Sequence, residues 1–285
     1  MKQLLILSGK GGTGKTTIAS SFIKLSKAKA FADCDVEAPN LHLLNPSGEK
    51  TSELFYGMKK ARIDIDRCKG CGLCQTYCRF DAIHREDVYS VDIRACEGCS
   101  VCQLVCPENA IEMIDSVDGE TSIYRGKHLF STAELNMGSG NSGKLVTKVK
   151  QNLKDNLNDE ELVIIDGAPG IGCPVIASLS GVDMVLIVAE PSMSGISDME
   201  RIIQTAMKFK TKTAVCVNKY DTNIALTRKI EKYISGLNIA FIGVVPYDEN
   251  VIKTINSGHT VVEGDSEASK AIKKLYETTL SFLNY

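Results

Sequence analysis

Two groups of residues in this chain have the types and spacing to do chemistry. The first is a set of eight cysteines between Cys68 and Cys106 that spells C-x-x-C-x-x-C-x-x-x-C twice, 28 residues apart. Laid over one another, residues 68–83 and 96–111 agree at eight of sixteen positions, all four cysteines among them. Soft thiolates at this density suit an iron–sulfur cluster or zinc. Zinc sites commonly use two C-x-x-C pairs set apart by a longer loop, whereas three thiolates at successive spacings of three can wrap one cubane. The second group is Gly9, Lys10, Gly11, Gly12, Thr13, Gly14, Lys15 and Thr16, followed by Thr17. This is a full G-x-x-x-x-G-K-[ST] phosphate loop. Its glycines let successive backbone N–H groups turn in around phosphates, Lys15 reaches the outer phosphates, and the Thr16 hydroxyl ligates magnesium.

Elements must hold these groups in place. The apolar runs LLIL, LVII, MVLIV, TAVCV and AFIGVV alternate with amphipathic stretches such as DMERIIQTAMKF. Buried parallel strands and their crossover helices read this way, and open parallel sheets bind ligands beyond the carboxyl ends of their strands. Three polar loops stand at such ends: Asp33-Cys34-Asp35 at the end of KAFAD, Asp166-Gly167-Ala168-Pro169-Gly170 after LVII, and Asn218-Lys219 after TAVCV. A fourth, Pro246-Tyr247-Asp248, follows AFIGVV. Aspartate in such loops also serves as a turn residue or cap, a reading that stays open for Asp33.

The wording GKGGTGKTT, with Lys10 at its second position, resembles the deviant-Walker ATPases of the MinD, ParA and Mrp type and the nitrogenase iron protein. The resemblance implies a homodimer in the ATP state, in which Lys10 crosses to the partner's phosphates in the manner of an arginine finger. It implies that Lys10, Lys15 and Asp35 are catalytic and that Thr16, Asp35 and Asp166 hold Mg2+, with Asp35 orienting the attacking water. It places Asn218 on the adenine edge, with Pro246 and Tyr247 against the base. Asn218-Lys219-Tyr220-Asp221 also has the spelling of a guanine reader; Lys10 and the wording of the Asp35 and Asp166 loops favour ATP.

The cysteine repeat resembles a two-cluster bacterial ferredoxin, whose fourth cysteine in each run serves the other cluster. That implies one 4Fe-4S cluster on Cys68, Cys71, Cys74 and Cys106 and a second on Cys78, Cys96, Cys99 and Cys102. Arg79 stands where the second copy has Pro107, a departure that leaves the ligand count intact. Together the two resemblances imply an α/β fold: a mostly parallel-sheet P-loop NTPase with an inserted ferredoxin-like α+β domain. Residues 1–56 and 131–285 would form the ATPase, and residues 57–130 the insert, with its core at 61–114. The implied function is nucleotide-dependent electron transfer to a redox partner protein. The alternative is an Mrp-type iron–sulfur carrier or assembly ATPase.

Composition frames these expectations. The chain has 285 residues, a formal net charge of -2 and 44% hydrophobic residues, so nothing basic points to nucleic acid. No run approaches the roughly 18 apolar residues of a membrane span. The opening MKQLLILSGK has too short an apolar run for a secretory leader, which implies a cytoplasmic protein with reduced thiols. Of the 11 cysteines, Cys34, Cys173 and Cys216 lie outside the repeat. Cys216 reads as a buried strand residue, and Cys173, just past the Asp166 loop, as either core or an interface ligand with Cys34 as its only companion. His42, His84, His128 and His259 form no spaced pair.

Overall fold

The computed structural model of the chain describes residues 1–26, 28–41, 48–158 and 160–284; His42 lies outside them. Its strands are β1 (Lys2–Ser8), β2 (Ala30–Asp33), β3 (Glu49–Tyr56), β4 (Lys60–Ile63), β5 (Ile83–Arg85), β6 (Tyr89–Val91), β7 (Ile111–Ile114), β8 (Val117–Arg125), β9 (Leu129–Leu135), β10 (Leu162–Pro169), β11 (Met184–Ala189), β12 (Lys212–Asn218) and β13 (Ala240–Val245). Its α-helices are α1 (Lys15–Ser26), α2 (Leu73–Thr76), α3 (Val101–Val105), α4 (Ser142–Asp155), α5 (Cys173–Leu179), α6 (Met193–Lys208), α7 (Ile224–Gly236), α8 (Asn250–Asn256) and α9 (Glu267–Leu283).

Nine strands form one sheet in the order β13-β12-β11-β1-β10-β2-β9-β8-β3. Pairing is parallel from β13 through β9 and antiparallel for β8 and β3. The central strands are continuous apolar runs because helices cover both faces. Leu4 and Ile6 point into one core with Ile18 and Phe22 of α1, while Leu5 and Leu7 point into the other with Leu145 and Val149 of α4. Residues 117–125, expected as a flank of the insert, form strand β8 of this large sheet.

The cysteine-rich segment has a core of its own, built from Ala61, Ala82, Ile83, Tyr89, Ile111 and three of its thiols, Cys74, Cys96 and Cys102. Two small antiparallel sheets, β4-β7 and β5-β6, carry it. The sequence repeat is also a repeat of hydrogen bonds. Asp64 N–H donates to the Ala110 carbonyl at 2.7 Å, and 28 residues on, Asp92 N–H donates to the Ala82 carbonyl at 2.7 Å. The segment leaves the large sheet where a hairpin turn would be, since Tyr56 of β3 is the register partner of Val117 of β8. Gly57 stands at that exit because a Cβ there would overlap the Asp118 carboxylate. Asp118 in turn accepts from Ser116 Oγ at 3.1 Å and from Asn141 Nδ2 at 3.0 Å, tying the exit to the start of α4.

Candidate functional site

The phosphate loop runs from the end of β1 into α1, so its backbone N–H groups and the helix N-terminus face one cavity of about 590 Å³. Lys10 to Thr17 line it together with Asp35, Asn218, Pro246 and Tyr247. Gly14 adopts φ +92°, and a Cβ there would overlap the Asn218 amide, so only glycine fits. Gly9 is held to glycine by the close approach of Asp198 on α6, a contact no sequence pattern announces.

Four side chains converge inside the cavity's inner end. Lys15 Nζ donates to Asp166 Oδ1 at 2.6 Å and lies 4.0 Å from Asp35 Oδ2, while Thr16 Oγ1 donates to Asp166 Oδ2 at 2.6 Å. Burial opposes the Lys15 charge, but Asp166 and Asp35 outweigh it and hold the ammonium above its usual range. Burial raises the Asp35 carboxyl, and Lys15 only partly offsets this. Asp33 settles as a loop organiser: its carboxylate accepts from the N–H groups of Asp35 at 3.0 Å, Asn40 at 2.8 Å and Leu41 at 2.9 Å. Burial and the nearby Asp166 charge push it up to about 7.

Lys10 points away from these groups. Its Nζ sits 2.5 Å from Glu190 Oε1 and donates to Ser194 Oγ at 3.2 Å, neither of which sequence reasoning found. Asn218, expected on the base, donates its amide to the Thr13 carbonyl at 2.7 Å and so braces the phosphate loop. Asp221 accepts from the Tyr247 N–H at 2.7 Å, which commits that oxygen to joining the two base-side loops.

In the insert the eight cysteines line two small cavities. Cys68, Cys71, Cys74 and Cys106 line one; Cys78, Cys96, Cys99 and Cys102 line the other. This is the same grouping that the ferredoxin resemblance implies. All eight are free thiols. Gly70, Gly72, Gly98 and Ser100 take positive φ, turning the backbone in around the thiols, and the Ala110 N–H already donates to Cys106 Sγ at 3.3 Å. Among the described residues, no three His, Cys, Asp or Glu side chains close on a single metal ion.

The three remaining cysteines separate. Burial pushes Cys34 and Cys216 each up to about 12 and leaves both as core residues, whereas Cys173 is exposed at the start of α5. Cys34 is thus no thiolate companion for Cys173. No helix among the described residues is long and apolar enough to cross a membrane.

Comparison with known proteins adds four findings. The model of the CobQ/CobB/MinD/ParA nucleotide binding domain family matches residues 4–261. An uncharacterised protein of Methanocaldococcus jannaschii is 36% identical over 99% of this chain and 97% of its own length. A second protein of that organism, described as ATP-binding, is 26% identical over 98% of both chains. Among solved structures, the septum site-determining protein MinD of Pyrococcus horikoshii, in complex with Mg-ADP, superposes with a TM-score of 0.57 at 17% identity, covering 98% of this chain and 95% of that one.

Proposed function

Because the chain belongs to the CobQ/CobB/MinD/ParA nucleotide-binding domain family, we propose that it is an ATP-hydrolysing iron–sulfur protein, in which nucleotide state governs electron transfer through two 4Fe-4S clusters to a partner protein. The observation that carries the proposal is the division of eight free thiols into two four-cysteine cavities, on a chain whose Lys15, Thr16, Asp35 and Asp166 converge at a phosphate loop.

The residues divide the work as follows. The backbone of residues 9–17 would cradle the phosphates, Lys15 would turn from Asp166 to phosphate oxygens, and Thr16, Asp35 and Asp166 would hold Mg2+. Bound magnesium would neutralise charge on the transferring phosphoryl group. Asp35, on the loop after β2, positions a water for attack on the γ-phosphorus; the bond to the β-bridging oxygen breaks, releasing phosphate and ADP. Lys10 turns from Glu190 towards the phosphates of a second copy of the chain, which requires a homodimer in the ATP state. Cys68, Cys71, Cys74 and Cys106 would hold one cluster and Cys78, Cys96, Cys99 and Cys102 the other, in an insert spanning at least residues 61–114. Such clusters supply one-electron carriers. All eight ligands belong to one insert in one protomer, which favours resident clusters over a cargo handed on from a shared site.

The test is direct. Anaerobically purified protein is expected to carry about eight irons per chain, and oxidation of the reduced protein by an acceptor is expected to depend on ATP. Full iron content with rates indifferent to nucleotide would sink the gating claim while leaving the clusters; iron-free protein would sink both.

A further inference from the structure

The two-fold repeat of the insert is broken by one buried charge. Lys60, the first residue of β4, is 5% exposed, and its Nζ donates to the carbonyl of Cys96 at 2.5 Å. That carbonyl is its only acceptor among the described residues, and no carboxylate there pairs with it. The repeat places Val88, 47% exposed, at the matching position of the other copy, so no ammonium is built in there. The charges lining the other cavity cancel instead, because Lys69 and Glu108 pair at 2.9 Å.

We propose that Lys60 sets the two clusters apart, raising the reduction potential of the one held by Cys78, Cys96, Cys99 and Cys102 above that of its twin. The inference rests on the iron–sulfur reading above and names a positioning residue for it. Reduction adds one negative charge, and a cation in a poorly solvated site attracts that charge far more strongly than one in water. Lys60 also draws on the peptide dipole of a ligand residue, an outer contact of the kind that tunes metal centres. Glu97 lines the same cavity with the opposite sign, but it is exposed, and solvent screens it.

The asymmetry has a direction. Residues 58–60 run along the Cys96–Cys99 loop: a Cβ on Gly98 would meet Met58 Cβ at 3.2 Å and overlap the Lys59 carbonyl. One step earlier is Gly57, at the exit from the large sheet. Lys60 thus biases a single shared electron towards the cavity on the ATPase side of the insert.

The experiment is a redox titration of the anaerobic full-length protein, followed by electron paramagnetic resonance, for the native chain and for Lys60→Met, Lys60→Gln and Lys60→Arg. Two waves are expected in the native protein. Lys60→Met should move the higher wave to more negative potential and leave the other in place, while Lys60→Arg should keep both. Lys60→Gln, which retains a donor for the Cys96 carbonyl but not the charge, should behave as the Met variant. Unmoved waves, or equal movement of both, would overturn the proposal. So would loss of half the iron in both neutral variants with retention in the Arg variant, since Lys60 would then be structural. A native protein without iron would instead overturn the reading on which the inference rests.

Discussion

In the isolated chain, Lys10 lies against Glu190 with both side chains partly solvated, at 36% and 17% exposure. A pair so placed is worth about 1 kcal/mol, and Lys10 must leave it to act across a dimer. Because both copies must release the pair, Glu190→Gln is expected to strengthen ATP-dependent dimerisation about thirtyfold, measured by sedimentation velocity with and without ATP; weaker dimerisation would mean that Glu190 aims Lys10 rather than restraining it. Lys10→Ala should abolish hydrolysis while nucleotide binding persists, and unchanged turnover would remove the trans-acting role. Asp33 supplies a pH test. Burial and Asp166 hold its folded-state pKa at about 7, against about 4 in the unfolded chain. Between those values the native state binds the extra proton, so stability falls as pH rises from about 4 to 7. In nucleotide-free protein, Asp33→Asn should flatten that decline in Tm, and an identical slope in the variant would assign it to other groups.

Helices α4 and α5 join the insert's exit to the Asp166 loop. Gly143 of α4 lies so close to Cys173 that an added Cβ would meet its Cβ at 3.0 Å and its backbone at 3.2 Å. Further along α4, Lys150 Nζ donates to the carbonyls of Ser178 at 2.7 Å and Ser180 at 2.5 Å, closing the C-terminal end of α5. Lys150→Met is expected to lower stability by roughly 1–3 kcal/mol, read as a shift in urea midpoint at constant slope; a shift within error would show those carbonyls to be satisfied by water. Such contacts mark the limit of what the residues announce. Gly14 and Lys15 are legible because a phosphate cradle demands a fixed spacing, and the cysteines because two copies can be laid over each other. Glu190, Asp198, Lys60 and Lys150 act through partners distant in sequence, and nothing local marks them. Strand β3, EKTSELFY, escapes for another reason: as an edge strand it is almost wholly exposed and carries no apolar run. Its partner β8 therefore falls, on sequence alone, within the span expected of the insert.

At the scale of the whole molecule, the insert replaces a turn between β3 and β8. Neither core of the large sheet contains a residue from 57–116, and the insert's core lies wholly within 61–113. Replacing residues 58–115 with Asn-Gly, a pair suited to a tight hairpin, is expected to leave a folded protein that binds nucleotide and holds no iron. Circular dichroism and equilibrium binding would check this, and a chain that aggregates would show that the two modules fold as one. The sheet order also sets a schedule. Among the described residues strand β1 pairs only with β10 and β11, and β10 separates it from β2. At roughly 5–20 residues per second on the ribosome, more than 120 residues intervene between β2 and β10. The strand that carries the phosphate loop therefore waits for its neighbours until the insert's two small sheets, β4-β7 and β5-β6, have emerged whole, so that during synthesis the insert can close on itself before the phosphate loop is held in a sheet.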